Sequence, residues 1–155
     1  MSPDCIHWFR RDLRLDDNTA LHHALSQFQA VQPIFIFDTN ILDQLPDRCD
    51  RRVAFIHEQL TALHIALQQH GAALWVFHGD PKDILAELIK RHQPEAIYAN
   101  RDYEPYARKR DREVGEMLES NDIQFQTFKD HVIFEQQEVV KDNGEPYVVY
   151  TPYSK

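Results

Sequence analysis

The chain has 155 residues and a formal net charge of −8, with 17 Lys and Arg against 25 Asp and Glu. That length suits one domain, and the acidic balance excludes a region that holds DNA by itself, because phosphate neutralisation needs clustered cations. No apolar run approaches the ~20 residues of a membrane span, and the nine histidines have no Cys or carboxylate at metal-ligand spacing.

Asp4 interrupts the N-terminus where a signal peptide would carry basic residues, and two cysteines, Cys5 and Cys49, make no disulfide framework. A cytoplasmic location is expected. Taken in chain order, the apolar run Cys5–Phe9 predicts a first strand. It leads into Trp-Phe-Arg-Arg-Asp-Leu-Arg-Leu-Asp-Asp-Asn (8–18), a strand-to-helix loop with Asp16 or Asp17 as the expected cap of the next helix. That helix, about 18–30, places Leu21, Ala24, Leu25 and Phe28 on one face.

A second strand is predicted at Ile34–Phe37. The clearest helix follows at about 48–70, where Val53, Ile56, Leu60, Leu63 and Leu67 recur at spacings of 3, 4, 3 and 4. A third strand at Ala73–Phe77 precedes a helix at about 81–92, which opens on Asp80-Pro81 and stripes Ile84, Leu85, Leu88 and Ile89. The fourth strand, Ala96–Ala99, is followed by a charged helix at about 105–120 with Val114, Met117 and Leu118 as its apolar contribution. There Arg108, Lys109, Arg110 and Arg112 interleave with Asp111 and Glu113, which reads as a solvated face. The fifth strand, Ile123–Phe128, alternates apolar with polar residues and suits a sheet edge. Beyond it, Val132–Phe134, then Glu138–Val140 and Tyr147–Tyr150 about an Asp142–Glu145 turn, predict a small hairpin outside the sheet.

Strands alternating with helices predict an α/β fold: a Rossmann-like, doubly wound, five-stranded parallel sheet of order 3-2-1-4-5 in a three-layer α/β/α sandwich. Strands one to four are apolar on nearly every residue, as strands buried on both faces should be. In such sheets ligands bind beyond the carboxyl ends of the strands where the order reverses, here between strands one and four. Those ends deliver Arg10 and Arg11, Asp38, His78 to Asp80, and Asn100 to Glu104. Arginine forks and carboxylates suit the edge of a planar hydrogen-bonding ligand, although the same charges could simply pair with each other. The chain has four glycines and no G-x-G-x-x-G, P-loop or G-x-S-x-G motif. As an enzyme in its own right it looks empty.

Three stretches in order resemble the DNA photolyase/cryptochrome family: Trp8–Asn18, then Asn100–Asp111 with Glu104-Pro105-Tyr106 followed by Arg108, Arg110 and Asp111, then Tyr147–Lys155. The resemblance implies the N-terminal antenna-chromophore domain (1–130) of a deoxyribodipyrimidine photolyase. Residues 131–155 would be a C-terminal extension and the start of an interdomain linker. In the family a larger helical domain binds FAD, holds the lesion-bearing DNA and carries out the chemistry. That domain is expected to be absent from a chain ending at Lys155. The antenna would absorb light and pass excitation to reduced FAD, whose electron splits a cyclobutane pyrimidine dimer, so this region harvests light and is not catalytic. The alternative is the same domain of a cryptochrome, a blue-light signalling protein.

In deazaflavin-type members, residues at the positions of Arg11, Asp38, Arg52, Asp102 and Glu104 border the antenna, and a small residue stands where Ala107 is. Tyr106-Ala107 occupies the place of an Asn-Glu pair in folate-binding members of one bacterial type. The resemblance therefore favours a deazaflavin or flavin over methenyltetrahydrofolate. It implies damaged DNA as a partner only through the missing domain, and a monomeric fragment.

Overall fold

The computed structural model describes residues 2–47, 49–135, 138–141, 143–148 and 150. Strands and helices alternate: β1 (Cys5–Phe9), α1 (Thr19–Gln27), β2 (Val31–Asp38), α2 (Thr39–Leu42), α3 (Arg51–Gln69), β3 (Trp75–Gly79), α4 (Pro81–His92), β4 (Ala96–Asn100), α5 (Pro105–Glu119) and β5 (Gln124–Phe128). The five strands form one parallel sheet in the order β3-β2-β1-β4-β5, as expected. Cys5, Ile6 and His7 pair with Val31, Gln32 and Pro33 on one side and with Ala96, Ile97 and Tyr98 on the other. β1 is thus the hub of the sheet.

Successive strand residues point to opposite faces, and this divides the core in two. Ile6 and Trp8, Ile34 and Ile36, Ile97 and Ala99 meet Leu85, Leu88 and Ile89 of α4 and Val114 and Leu118 of α5. On the other face Phe9 and Phe35 meet Leu21 of α1 and Leu60, Leu63 and Leu67 of α3. Cys5, Ala96 and Tyr98 pack on Ala24 beside them. Most of the helical stripes read from the sequence close these two layers; the exceptions are Leu25 of α1, which is 63% exposed, and Val53 of α3, which joins neither cluster, while Phe28 packs from just past the end of α1.

The structure corrects several local expectations. Order 3-2-1-4-5 puts β3 at an edge, so it is not buried on both faces: Val76 is 48% exposed despite its apolar neighbours. β3 also starts later than expected, because the Leu74 amide donates to His64 Nδ1 at 3.3 Å. The cap of α1 is Asn18, not Asp16 or Asp17; its side chain accepts from the Leu21 amide at 3.0 Å while both aspartates face solvent. Asp38 caps the short α2, a turn with no apolar period to reveal it. In α5 the buried face is Ala107, Arg110, Val114 and Leu118, so Arg110 is not part of a solvated face. The described residues after β5 hold no strand. A turn does close there, from the Lys141 amide to Glu145 O at 2.9 Å, but no hairpin ladder flanks it. Asp142 and Val149 of that expectation, and residues 151–155 of the third resembling stretch, lie outside the described residues.

His7 lies in the middle of β1 on the α1 side, fully buried, with its ring edge-on to Phe9 at 4.3 Å. Neither ring nitrogen has a hydrogen-bond partner, and burial pushes its pKa down to about 4. A histidine that resists protonation only when folded contributes stability that is complete above about pH 6.5 and is lost as the pH falls toward 4. Across that window the loss attributable to His7 is about 3 kcal/mol. Urea titrations at pH 7, 5.5 and 4.5 should show this loss, and His7→Phe should remove most of it. An unchanged pH dependence in the variant would refute the assignment.

Candidate functional site

β1 and β4 run side by side, yet the chain leaves their carboxyl ends toward opposite faces of the sheet, into α1 and α5. The gap between those two departures is where a ligand can approach backbone ends and loop side chains together. One buried knot holds it open. Asp12 accepts from the Arg10 amide (2.9 Å), Asn18 Nδ2 (3.0 Å) and Asn100 Nδ2 (2.6 Å). Asn100 also donates to Asn18 Oδ1 (2.8 Å) and accepts from the Ala20 amide (2.9 Å). Each buried polar group in the knot is matched, which removes the desolvation cost of enclosing it.

Behind the knot lies a second layer of charge. Arg10 Nη1 donates to both oxygens of Asp111 at 2.6 Å, and Nη2 reaches the Asn100 carbonyl. Arg10 and Arg110 lie over the Trp8 ring, their Cζ atoms 5.2 and 4.8 Å from its centroid. Arg110 also pairs with Asp111 (3.1 Å) and with Asp38 (3.6 Å). Asp38 in turn accepts from the Tyr106 hydroxyl at 2.7 Å, and burial together with that carboxylate pushes the phenol up to about 12. Tyr106 stays neutral and remains a donor at any physiological pH.

In front stands Arg11. Its guanidinium is 59% exposed and lies 3.2 Å from both Asp102 and Glu104. Of the residues singled out from the sequence, the structure brings together Arg11, Asp102 and Glu104 in one cluster and Asp38 and Tyr106 in another. Ala107 is buried in the first turn of α5 next to Tyr106. Arg52 joins neither cluster; it folds back on Asp50, the cap of α3, and its hydrogen bonds hold that carboxyl down at about 2. Asp12, Asn18, Arg110 and Asp111 were not among the expected site residues; Arg10 and Asn100 stood at the expected strand ends, but the structure buries both in the framework, Arg10 on Asp111 and Asn100 on Asp12. The signal that could have found them is the run of alternating charge in 10–18 and 100–111, since a solvated turn needs polarity but not that order.

A hollow of about 330 Å³ opens beside the site, lined by Arg101, Asp102, Tyr103, Arg108, Asp111, Phe125 and Thr127. A larger one, about 570 Å³, lies at the amino end of β5 around Glu119, Asp122 and Phe125, away from the arginines. Among the described residues no group of three or more His, Cys, Asp or Glu is placed to hold a metal ion. No described helix is long and apolar enough to cross a membrane.

The family model for DNA photolyase matches residues 5–155. The chain belongs to the DNA photolyase family. The deoxyribodipyrimidine photo-lyase of Synechococcus sp. strain PCC 6301 is 36% identical over 155 residues, covering 100% of this chain and 32% of that protein. A bacterial class III photolyase from Agrobacterium tumefaciens superposes with a TM-score of 0.86 at 29% identity, over 98% of this chain and 31% of its own. An archaeal photolyase from Sulfolobus tokodaii, described as having two FAD molecules with the implication of a novel light-harvesting cofactor, gives a TM-score of 0.82 at 35% identity, over 89% of this chain and 32% of its own. The chain spans about a third of the length of each of these relatives. Two of the stretches that resemble the family in sequence thereby gain a place in the fold: 8–18 runs from the end of β1 through the β1–α1 connection tied down by Asp12, and 100–111 runs from the end of β4 into α5.

Asn100→Leu should orphan the Ala20 amide and one side of Asp12, costing about 2–3 kcal/mol in chemical denaturation. Arg11→Ala, removing an exposed ion pair, should cost less than about 1 kcal/mol. Comparable losses from the two would mean that Arg11 is structural.

Proposed function

We propose that residues 1–130 are the antenna-chromophore-binding unit of a deoxyribodipyrimidine photolyase, with 131–155 leading from it toward an interdomain linker. The observation that carries this reading is Arg11: an exposed side chain at the switch point, flanked by two carboxylates and one residue along from the buried, paired Arg10. A planar ligand with alternating donors and acceptors can exchange with those carboxylates at Arg11 while Arg10 stays in place. Arg11, Asp38, Asp102, Glu104, Tyr106 and Ala107 would line the chromophore, and Arg52 would have to leave Asp50 to join them.

A deazaflavin or flavin is favoured over methenyltetrahydrofolate. Tyr106 and Ala107 support this, since they stand where folate-binding members of one bacterial type carry an Asn-Glu pair, and the phenol is held by Asp38. The Sulfolobus relative, with its two FAD molecules, points the same way. The whole protein would repair cyclobutane pyrimidine dimers in DNA with light, using a reduced FAD held by a helical domain. The acidic balance of this region leaves DNA contact to that domain. As a monomer in the cytoplasm, the region itself would supply excitation and no chemistry.

In titrations of the 155-residue chain, FAD or a deazaflavin should bind more tightly than methenyltetrahydrofolate, and Arg11→Ala should weaken flavin binding about tenfold by removing a charge-assisted contact. Tighter folate binding, or no effect of the substitution, would overturn the chromophore assignment. The same protein should show no salt-sensitive binding to duplex DNA in the nanomolar range.

A further inference from the structure

Asp102 is the least exposed of the groups around Arg11, with 12% of its side chain accessible, and its orientation decides which way the cluster faces. It sits in a four-residue loop with no regular structure of its own, between β4 and α5. Its two neighbours, Arg101 and Tyr103, both end on one carboxylate. Arg101 Nη1 donates to Glu135 Oε2, and the Tyr103 hydroxyl donates to Glu135 Oε1 at 2.8 Å. Arg101 is further fixed on β5, where its guanidinium donates to the Thr127 carbonyl (3.0 Å) and hydroxyl (3.2 Å).

Glu135 belongs to neither the sheet nor the helices. It comes from the segment after β5, which is itself pinned at several points. Asp130 accepts from Arg14 (2.8 Å) and from the Thr19 amide (3.0 Å), while Lys129 pairs with Glu138 (2.6 Å), whose carboxylate also accepts from the Glu135 amide (2.8 Å). Burial works against the charge of Asp130, but the Thr19 and Arg14 hydrogen bonds outweigh it and hold the carboxyl below its usual range.

From this bracing of residues 101 and 103 by one side chain, we infer that Glu135 is a positioning residue for Asp102, and so for the ligand-facing state of Arg11. The inference rests on the chromophore reading of the crevice and adds a device to it. The segment leaving the domain sets the geometry of the site through a single carboxylate. A residue clamped on both sides has few orientations left, so Asp102 holds Arg11 in one place instead of following it.

The test is a thermodynamic cycle read by FAD titration of the 155-residue chain. Glu135→Ala should weaken FAD about fivefold, Asp102→Ala should weaken it at least as much, and the double variant should bind no worse than Asp102→Ala, because coupled residues are not additive. A purely stabilising Glu135 would add its full effect in the double variant, and that outcome, or a Glu135→Ala that binds like the parent, overturns the proposal. Should Glu135→Ala fail to fold, Tyr103→Phe removes one of the two braces and should weaken FAD by about half as much on a logarithmic scale. If the parent chain binds no FAD, the chromophore reading fails and Glu135 is judged without ligand. Amide exchange at 101–104 should then speed up in Glu135→Ala and not in Lys129→Ala, and equal rates in both variants overturn the positioning role.

Discussion

Asp12 is the group on which the rest of this structure depends. A carboxylate almost wholly removed from water is costly unless every lone pair is met by a donor. Here the donors are one backbone amide and two asparagine side chains, drawn from the end of β1, the start of α1 and the end of β4. Satisfying that one charge forces three chain segments into fixed relative positions. The crevice follows from this, because its two walls are the loops that Asp12 ties together.

Behind the crevice the structure spends its charge in pairs. Arg10, Asp111, Arg110 and Asp38 form a continuous row stacked over Trp8 and ending at Tyr106. Removing a single member would leave a buried partner uncompensated, so the row behaves as a rigid unit. Arg11, one residue along from Arg10, does the opposite. Its partners are held at 3.2 Å, and one of them, Glu104, is 60% exposed. Two adjacent arginines therefore have separate tasks, one fixed in the framework and one available to a ligand. In the proposed antenna role this separation would be useful: excitation transfer depends on a chromophore held in one orientation, which a rigid wall would provide, while loading would require a contact that can exchange.

The helices show the same economy. Each cap of α1 to α4 comes from an Asn or Asp immediately before the helix, and two of these, Asn18 and Asp38, also serve the site. α5 has no side-chain cap: its capping position holds Glu104, a residue outside the Ser, Thr, Asp and Asn set that caps helices, and that carboxylate pairs with Arg11. A local stabilising contact has been given up there for a tertiary one, and it is given up at the proposed ligand site.

The expected sheet order, 3-2-1-4-5, is the observed one, and the sequence by itself determined the β/α alternation and most of the apolar stripes of α1, α3 and α4. These are legible because period-2 and period-3.6 burial act over short stretches and need no knowledge of distant partners. It also placed Arg11, Asp102 and Glu104 at the correct strand ends. What only the tertiary structure decided is which charges are buried. Arg110 reads as one cation among several on a polar helix, and Asp12 as one acid in a loop. Their burial depends on Trp8, Asp38 and Asn100, which lie 72 to 102 residues away in sequence, and no local pattern encodes that meeting. Asn18 displaced Asp16 and Asp17 as the helix cap for the same reason: its amide, unlike a carboxylate, can donate to Asp12 while its oxygen accepts from the helix.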